Sequence, residues 1–575
     1  MRPVRSLSSR CPKLSPFISC IILLTLILLP ACSVKPTPVS VAPITGLPQG
    51  TDNLPWWNDT VFYEIFVRSY VDSNGDGIGD INGLISKLDY LNDGNPKTTT
   101  DLGVTGLWLM PINPSPSYHG YNVSDYYAVN PQYGTLDDFK RLLDEAHKRG
   151  IRVIIDLVMN HTATDNAWFQ ESKDPTSPRR NWYIWSDKDP GYTGPWGEKV
   201  WYSSGEGFYY AIFDASMPDL NYTNPEVRAE MEKVTRFWLD DVGVDGFRLD
   251  AAKHIVEEAQ VQENTQANHT WWKEFRQAYK ADNPQALTVG EVWSSTDQVA
   301  GYLQGDELDL AFNFDLAGSI IKAVSNESSF IIRASLESSS RKIAPLQFAT
   351  FLTNHDQNRT MTSLGENPDK ARVAATVLMS LPGVPFVYYG EEIGMTGMKP
   401  DQNIRTLMQW SADANAGFTP GEYALMPLNS NFKEVNVALQ TDDPASLLSH
   451  YRSLVQLRND HAALRAGDYI QVESSASQVL AFLRVSQAET LLVLINMGKE
   501  PLSEYELSLD KGPLSGEYKA ALLLESQFLD QNVKVLPPVI SPTGGFTSYL
   551  PLPEGQTLPA YSCLIIQLQA VKSGK

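Results

Sequence analysis

The segment TLDDFKRLLDEAHKRGIRVIIDLVMNH (135–161) decides the fold, because it joins an amphipathic helix directly to a buried strand. Thr135 is typical of a helix N-cap with Asp138 three residues later, and Gly150 suits the position just past the helix end. Apolar residues recur at helical spacing along one face, at Leu136, Phe139, Leu142, Leu143 and Ala146. The run RVIIDLV (152–158) then predicts a buried strand. This stretch is therefore the junction between a helix and the buried strand that follows it.

The same alternation of β-rich runs and helix-length segments continues along most of the chain. The eight β-rich runs span residues 61–67, 104–110, 152–158, 244–250, 287–293, 308–314, 346–352 and 384–389. Repeated β-α units predict a parallel sheet with buried strands. Eight such units predict closure of the sheet. We therefore expect an α/β fold, a (β/α)8 TIM barrel.

Two stretches interrupt this alternation, and a different pattern follows it. Residues 161–218 are rich in aromatic residues, Gly and Pro, and predict a small domain inserted after the third strand. Residues 391–444 form a long excursion after the eighth strand. Alternating β-rich runs near the end predict an all-β C-terminal domain, a β-sandwich over 468–575. The catalytic barrel would then comprise 56–160 and 219–467.

The N-terminus has the pattern of a bacterial export signal. Four basic residues precede an apolar run (17–29) that is short for a membrane span and leads into Leu-Pro-Ala-Cys. This tetrapeptide resembles a lipobox, which makes 1–31 a lipoprotein signal peptide and Cys32 the lipidated residue. Residues 32–55 predict a flexible tether. We expect an exported, extracytoplasmic, membrane-anchored protein, and an uncleaved anchor would give nearly the same location.

The composition excludes several classes of partner. The chain has 575 residues, with 46 basic and 67 acidic side chains and a net charge of −21. Removal of the predicted leader, which carries four basic and no acidic residues, would take the charge to −25. Nucleic acids and anionic lipid headgroups need basic surfaces, so neither is an expected partner. Only four cysteines are present, so no disulfide scaffold is predicted, and Cys563 has no partner if Cys32 is lipidated.

Charged side chains follow several of the predicted strands, at the end of the barrel where chemistry takes place. Arg248 and Asp250 end the fourth run, Glu291 lies near the end of the fifth, and His355 and Asp356 follow the seventh. One such carboxylate alone would indicate a salt bridge or a helix cap. Three on separate strands, beside His or Arg, favour glycoside hydrolysis, in which one carboxylate attacks the anomeric carbon and another donates a proton.

The chain carries four motifs in barrel-compatible order, namely DLVMNH (156–161), GFRLDAAKH (246–254), GEVW (290–293) and TNHDQNR (353–359). They resemble the four signature regions of the α-amylase family, glycoside hydrolase family 13. MPDLN (217–221) is similar to a fifth region of that family. The resemblance runs from about residue 56 to the C-terminus and implies a retaining glycosidase.

The resemblance also implies a role for each matching residue. Asp250 would be the nucleophile, Glu291 the general acid/base, and Asp356 the carboxylate that distorts the bound sugar. Arg248 would position Asp250 and keep it ionised. The other substrate-binding residues would be His119, Tyr121, His161, His355 and Arg359 at the cleavage site, and Lys253 and His254 on the leaving-group side. Retention implies about 5–5.5 Å between the carboxyls of Asp250 and Glu291.

A calcium site is the metal site that the sequence predicts. Zinc is not expected, because no HExxH or short paired histidine spacing is present. The loop DSNGDGIGD (72–80) follows the first strand and has the acidic spacing of an EF-type loop without its final Glu. Its predicted Ca²⁺ ligands are Asp72, Asn74, Asp76, the carbonyl of Ile78, and Asp80. A metal-free acidic turn is the alternative.

The resemblance leaves the specificity open. The Lys253-His254 pair favours an α-amylase that cleaves internal α-1,4 bonds of starch, glycogen and maltooligosaccharides. The alternatives are an oligo-1,6-glucosidase, a neopullulanase or a 4-α-glucanotransferase. A non-catalytic starch-binding lipoprotein is the hypothesis from another class. Aromatic residues crowd the predicted inserted domain, where packing is favoured over sugar stacking for most of them. We expect a monomer.

Overall fold

The computed structural model describes residues 44–258, 260–524 and 533–571. The predicted signal peptide, the lipidation site Cys32 and the first part of the predicted tether lie outside the described residues. Among the helices that the structure does describe, none is both long and apolar enough to cross a membrane.

Eight parallel strands close into a barrel, which confirms the predicted fold class. The first eleven strands in chain order are β1 (Phe62–Ile65), β2 (Gly106–Leu109), β3 (Arg152–Leu157), β4 (Trp185–Ser186), β5 (Trp201–Ser203), β6 (Phe208–Tyr210), β7 (Gly246–Leu249), β8 (Leu287–Gly290), β9 (Leu310–Phe312), β10 (Phe348–Thr350) and β11 (Val384–Tyr388). All except β4–β6 belong to the barrel, in the order β1-β2-β3-β7-β8-β9-β10-β11 and back to β1. Each predicted run extends one to three residues past the end of the strand that it contains.

Helices lie between most consecutive barrel strands and continue after the last one. Their bounds are α1 (Ile81–Ile85), α2 (Leu88–Leu91), α3 (Leu136–Lys148), α4 (Ala167–Ser172), α5 (Pro225–Arg236), α6 (Gln266–Asp282), α7 (Thr296–Gly301), α8 (Phe314–Ser325), α9 (Phe330–Lys342), α10 (Thr360–Ser363), α11 (Pro368–Ser380), α12 (Asp401–Ile404), α13 (Val437–Gln440), α14 (Leu447–Asp460) and α15 (Ala462–Ala466). Helix α5 continues into a π-helical turn, Phe237–Val242.

Helix α3 shows how the opening segment of sequence sets its own boundaries. The Thr135 side chain accepts a hydrogen bond from the Asp138 backbone, and the Asp138 carboxylate accepts one from the Thr135 backbone, so two N–H groups at the helix start are satisfied. Gly150 follows with a φ of 79°, a conformation that disfavours other residues. Four of the predicted apolar residues, Phe139, Leu142, Leu143 and Ala146, are buried.

The barrel interior has an apolar lower part and a charged upper part. Phe62, Trp108, Ile154, Val289 and Phe386 belong to one buried apolar cluster. Two residues further along β1 and β3, on the same face of each strand, lie buried carboxylates, Glu64 and Asp156. Strand β7 adds Arg248, which is 1% exposed. The alternation of side chains therefore places charge at the carboxyl end of the barrel.

The predicted insertion forms a three-stranded antiparallel sheet, in the order β4-β6-β5, between β3 and α5. It is joined to the barrel where His161 pairs with Asp219 and Tyr183 pairs with Leu220. The insertion therefore begins directly beside the predicted sugar-binding residue at the end of β3.

The C-terminal domain is all-β, as predicted, and begins with β12 at Asp468. Its strands are β12 (Asp468–Ser474), β13 (Val479–Val485), β14 (Thr490–Asn496), β15 (Leu507–Leu509), β16 (Tyr518–Leu524), β17 (Phe546–Tyr549) and β18 (Cys563–Ala570). These seven are hydrogen-bonded in one antiparallel order, β16-β18-β14-β13-β12-β15-β17, and the β-sandwich packing stays a prediction. Strand β12 joins the two parts of this order, because it pairs with β13 over most of its length and with β15 at Glu473 and Ser474.

Candidate active site

A cavity of about 600 Å³ opens at the carboxyl ends of the barrel strands. The three predicted catalytic carboxylates, Asp250, Glu291 and Asp356, all line it. Among the predicted substrate-binding residues, those that line it are His119, Tyr121, His161, Lys253 and His254. The structure thus brings together side chains that are spread over more than 230 residues of sequence.

Arg248 is the centre of the site. Its Nη1 donates hydrogen bonds to Asp156 Oδ1 at 2.8 Å and to Asp250 Oδ1 at 2.6 Å. Its Nη2 donates to Glu291 Oε2 at 2.7 Å. One guanidinium therefore holds both the predicted nucleophile and the predicted general acid. This arrangement keeps the two carboxyls close, in keeping with the short separation that retention needs.

The backbone after β7 helps to complete this arrangement. Ala251 has a φ of 49°, a left-handed conformation that costs energy for a residue with a Cβ. The turn directs the Ala251 N–H to Glu291 Oε2, at 3.1 Å. Glu291 is thus fixed by a side chain and by a backbone group from the strand next to its own.

Burial and charge set the protonation of the two central carboxyls. Burial raises the pKa of Asp250 to about 6, with the negative charge of Asp156 adding to it and Arg248 opposing it. At neutral pH Asp250 is then ionised. Burial also raises the pKa of Glu291, against Arg248 and with help from the charges of Asp250 and Asp356. Raised pKa values suit a general acid, which must hold its proton before the reaction.

Asp356 has the opposite electrostatic environment. Burial alone would raise its pKa, but the cations around it outweigh burial and hold the pKa well below its usual range. His355 Nε2 lies 3.1 Å from Asp356 Oδ2, and Arg405 Nη2 donates to Oδ1 at 2.8 Å. Asp356 therefore stays ionised, as a group that stabilises positive charge on a sugar must.

Neutral ring systems form the rest of the inner wall. Tyr121 donates its hydroxyl to Asp156 at 3.0 Å and contacts His355 Nε2 at 2.7 Å. The His161 Nε2 bonds to the Tyr121 carbonyl at 3.0 Å. Burial lowers the pKa values of His119 and His161 to about 4, so both imidazoles are neutral at physiological pH. Neutral imidazoles can both donate to and accept from sugar hydroxyls.

Lys253 and His254 lie together at the mouth of the cavity. Lys253 Nζ pairs with Glu263 Oε2 at 2.6 Å and donates to the Trp293 carbonyl at 3.1 Å. His254 Nδ1 bonds to the Gln262 carbonyl at 2.8 Å, and burial lowers the His254 pKa to about 4. Both are held by partners outside the catalytic trio, which separates them from the reacting centre.

Three predicted substrate-binding residues, Arg248, His355 and Arg359, do not line the cavity. Arg359, expected beside the cleaved sugar, is 1% exposed and donates to the Tyr389 carbonyl at 2.7 Å, with its guanidinium over the rings of Tyr388 and Tyr389. The Arg359 guanidinium packs on these rings and does not face the cavity, so the structure does not place Arg359 beside the cleaved sugar. His355 is fully buried behind the cavity wall, where it contacts two residues that do line the cavity, Asp356 and Tyr121.

The sequence pattern missed Arg405 and Asp401, which do line the cavity. Arg405 Nη2 bonds to both Asp356 and Asp401, and its Nε donates to the His355 carbonyl at 2.9 Å. Both residues lie in the long excursion after the eighth strand. Strand-end reasoning could not place them, and the only signal was a single basic residue in IRTLMQW (404–410).

The predicted calcium loop contains oxygen donors only, which is the chemistry that Ca²⁺ prefers. However, these oxygens accept hydrogen bonds within the loop and nearby. The Asp72 carboxylate accepts from the backbone of Asn74, Gly75 and Gly77, and Asp80 accepts from Ser73 and caps α1. Over the described ranges, no group of three or more His, Cys, Asp or Glu is placed to hold a metal. The donor types of the predicted ligands therefore fit calcium.

Comparisons with known proteins agree with this site. Residues 64–467 match the family model described as the α-amylase catalytic domain. "Alpha-amylase 3" of Dictyoglomus thermophilum is 41% identical over 454 residues, covering 78% of this chain and 86% of the relative. "Trehalose synthase/amylase TreS" of Mycolicibacterium smegmatis is 37% identical over 487 residues, covering 75% and 80%. The crystal structure of the α-amylase from H. orenii is 40% identical, with a TM-score of 0.76, and the match covers 89% of this chain and 99% of that one. The chain therefore belongs to the α-amylase family of glycoside hydrolases, family 13.

Proposed function

We propose that the protein is a retaining α-amylase that cleaves internal α-1,4-glucosidic bonds of starch, glycogen and maltooligosaccharides. The observation that carries this proposal is the convergence of Asp250 and Glu291 on one Arg248 guanidinium, with Asp356 lining the same cavity. The relative named α-amylase at 41% identity supports the choice among family activities.

The geometry supports a two-step mechanism. An Asp250 oxygen attacks the anomeric carbon while Glu291 gives its proton to the departing glycosidic oxygen, so that a glycosyl ester forms and the C–O bond breaks. Glu291, now a carboxylate, then takes a proton from water, and the resulting hydroxide displaces Asp250 from the sugar. Arg248 stabilises the carboxylate of each step through its two nitrogens. Asp356 stabilises the positive charge that develops on the sugar ring.

The mouth of the cavity supports a polymeric substrate. Trp196, in the inserted domain, is 60% exposed and stacks on Phe213 with 5.8 Å between ring centroids. Trp293 is 46% exposed and stacks on Phe314 at 4.6 Å. Both indoles line the cavity. Exposed indoles supported from behind are suited to stacking on glucose rings beyond the cleaved bond.

The main alternative is glycosyl transfer, in which a sugar hydroxyl and not water removes the glycosyl group from Asp250. The relative named trehalose synthase/amylase favours this candidate. Hydrolysis and glycosyl transfer share their first step, in which the glycosyl ester on Asp250 forms. Oligo-1,6-glucosidase and neopullulanase activities differ in the linkage accepted. A non-catalytic starch-binding protein does not need the ionised nucleophile and the cation that holds it.

Product analysis tests the proposal. The full chain should release maltooligosaccharides of several lengths from soluble starch, with the α-anomer formed first, and should act weakly on isomaltose. Trehalose or longer transfer products as the main output would favour the transfer alternative. If the protein releases no reducing ends from starch, pullulan or cyclodextrins, the proposal that it hydrolyses α-glucans is wrong.

The catalytic variants are the matched controls for that assay. Asp250→Asn and Glu291→Gln keep side-chain size and should lose starch hydrolysis, by about 10²–10⁴ for the general acid. Circular dichroism should show that both remain folded. Turnover near that of the unmodified protein in either variant would overturn the assigned roles.

Trp196→Ala should lower kcat/KM on amylose by about two- to twelvefold, which is the value of one aromatic stacking contact of about 0.5–1.5 kcal/mol. An aryl maltoside whose leaving group replaces the outer sugars should be hydrolysed at an unchanged rate. Phe330→Ala is the control, because Phe330 is 72% exposed and does not line the cavity. Equal losses on both substrates would argue against an outer sugar platform.

We further propose that Asp72, Asn74, Asp76, the Ile78 carbonyl and Asp80 bind one structural Ca²⁺. The support is the all-oxygen donor set and its tight loop. Metal analysis should find calcium, and EDTA should lower the melting temperature, since a ligand at 100 times its Kd stabilises a fold by about 2.7 kcal/mol. Asp76→Asn should weaken both effects, whereas Asp125→Asn, outside the loop, should not. A metal-free protein that is insensitive to EDTA would rule the site out.

We propose that the protein is exported and anchored to a bacterial membrane through lipidated Cys32, and that it acts as a monomer. The support is the sequence of residues 1–32 alone. Membrane fractions should contain the protein, with a lipidated Cys32 as the mature N-terminus in the mass spectrum, and a chain that begins after residue 32 should be a soluble monomer in light scattering. A mature N-terminus elsewhere, with Cys32 unmodified in the mass spectrum, would refute the anchor.

A further inference from the structure

His355 lies between two carboxylates in the barrel interior. Its Nδ1 is 2.5 Å from Glu64 Oε1, and its Nε2 is 3.1 Å from Asp356 Oδ2. His355 and Glu64 are 0% and 2% exposed, so water does not screen this contact. Neither the catalytic trio nor the resemblance at the strand ends assigns a function to Glu64, which lies on β1.

The chemistry of the imidazole ring restricts its protonation here. A neutral imidazole has one donor and one acceptor nitrogen, and an ionised carboxylate can only accept. A ring nitrogen that faces each carboxylate therefore needs two protons on the ring. Charged hydrogen bonds of this kind are short and strong, which agrees with the Glu64 contact.

Other groups around His355 are consistent with a cation. The Tyr121 hydroxyl contacts Nε2 at 2.7 Å and Asp156 Oδ2 at 3.0 Å, so a proton on Nε2 can be donated to the hydroxyl while the hydroxyl donates to Asp156. Trp108 on β2 meets the ring edge-on at 5.6 Å. Arg405, from the excursion after β11, donates to the His355 carbonyl and pairs with Asp356. Arg248 on β7 reaches the ring only through Asp156 and Tyr121.

We propose that Glu64 is a positioning residue that keeps His355 doubly protonated, so that the charge of the imidazolium stays beside Asp356 and holds that carboxylate at the cavity floor. Glu64 does not contact the substrate and acts on Asp356 through the imidazolium ring. The proposal rests on the proposed function for its catalytic consequence, but not for the protonation state itself.

The pKa of His355 agrees with this geometry. Burial lowers it, but Asp356 and Glu64 outweigh burial and raise it to about 9. The folded value lies above the ordinary value of 6.5. The interaction therefore stabilises the fold fully below about pH 6.5, and this contribution is lost as the pH rises through about 9.

Glu64→Gln tests the inference, because the amide keeps the shape and removes the charge. The His355 titration should move to lower pH by at least about one unit, so the ratio of kcat/KM for the variant to that of the unmodified protein should fall by up to about tenfold as the pH rises through it. The titration of the general acid Glu291 is common to both proteins and cancels in this ratio. KM should change little, since Glu64 lies beneath the cavity. Glu392→Gln is the matched control, because Glu392 is also fully buried near the end of a barrel strand but bonds to Tyr63 and Tyr90. Its ratio to the unmodified protein should not change with pH.

The protonation state can be measured without any activity. Protein labelled with ¹⁵N-histidine, with His355→Gln to assign the signal, should show an imidazolium at residue 355 up to about pH 8.5. Glu64→Gln should lower that titration. A neutral ring at pH 7 in the unmodified protein, or an unchanged titration in a folded Glu64→Gln, would overturn the proposal. If the variant fails to fold, the spectrum of the unmodified protein decides, and it does so whether or not starch is the substrate.

Discussion

The site depends on one buried cation. Arg248 is 1% exposed, and a guanidinium in that position is costly unless carboxylates surround it. It has three, Asp156, Asp250 and Glu291, and each would itself be destabilised by burial without the cation. The charged upper part of the barrel is therefore mutually dependent: without the guanidinium, the fully buried Asp156 carboxylate would lose the cation that pairs with it. The same guanidinium holds Asp250 and Glu291 at the cavity.

Two cationic centres divide the carboxylates between them. Arg248 holds the proposed nucleophile and the proposed proton donor, while His355 and Arg405 hold Asp356. Tyr121 links the centres by bonding to Asp156 and His355. Carboxyl groups of the same type thus have different pKa values because their neighbours differ. This separation is what a reaction with one nucleophile and one proton donor requires.

The sequence was sufficient to predict the residues whose positions follow from the alternation of side chains along a strand. The eight strands, the helix cap at Thr135, and the placement of Asp250, Glu291 and Asp356 follow from period-two alternation and the position of strand ends. Arg405 and Asp401 could not be placed, because the excursion that carries them has no period. Arg359 was misplaced since a motif fixes the backbone position but not the direction of a long side chain. The pairing of β12 with both β13 and β15 could not be predicted, because no local pattern reveals which strands will be neighbours.

The outer wall of the cavity belongs to a different structural unit from its floor. Trp196 stands in the inserted domain, on a tight turn in which the Gly197 N–H bonds to the Gly194 carbonyl, whereas the reacting carboxylates are fixed by barrel strands. The insertion can change in length or composition without disturbing the charge balance around Arg248. Evolution can therefore alter which glucans are held without altering how the bond is broken. Diversity among relatives with different names would then arise at the rim of a constant reaction centre.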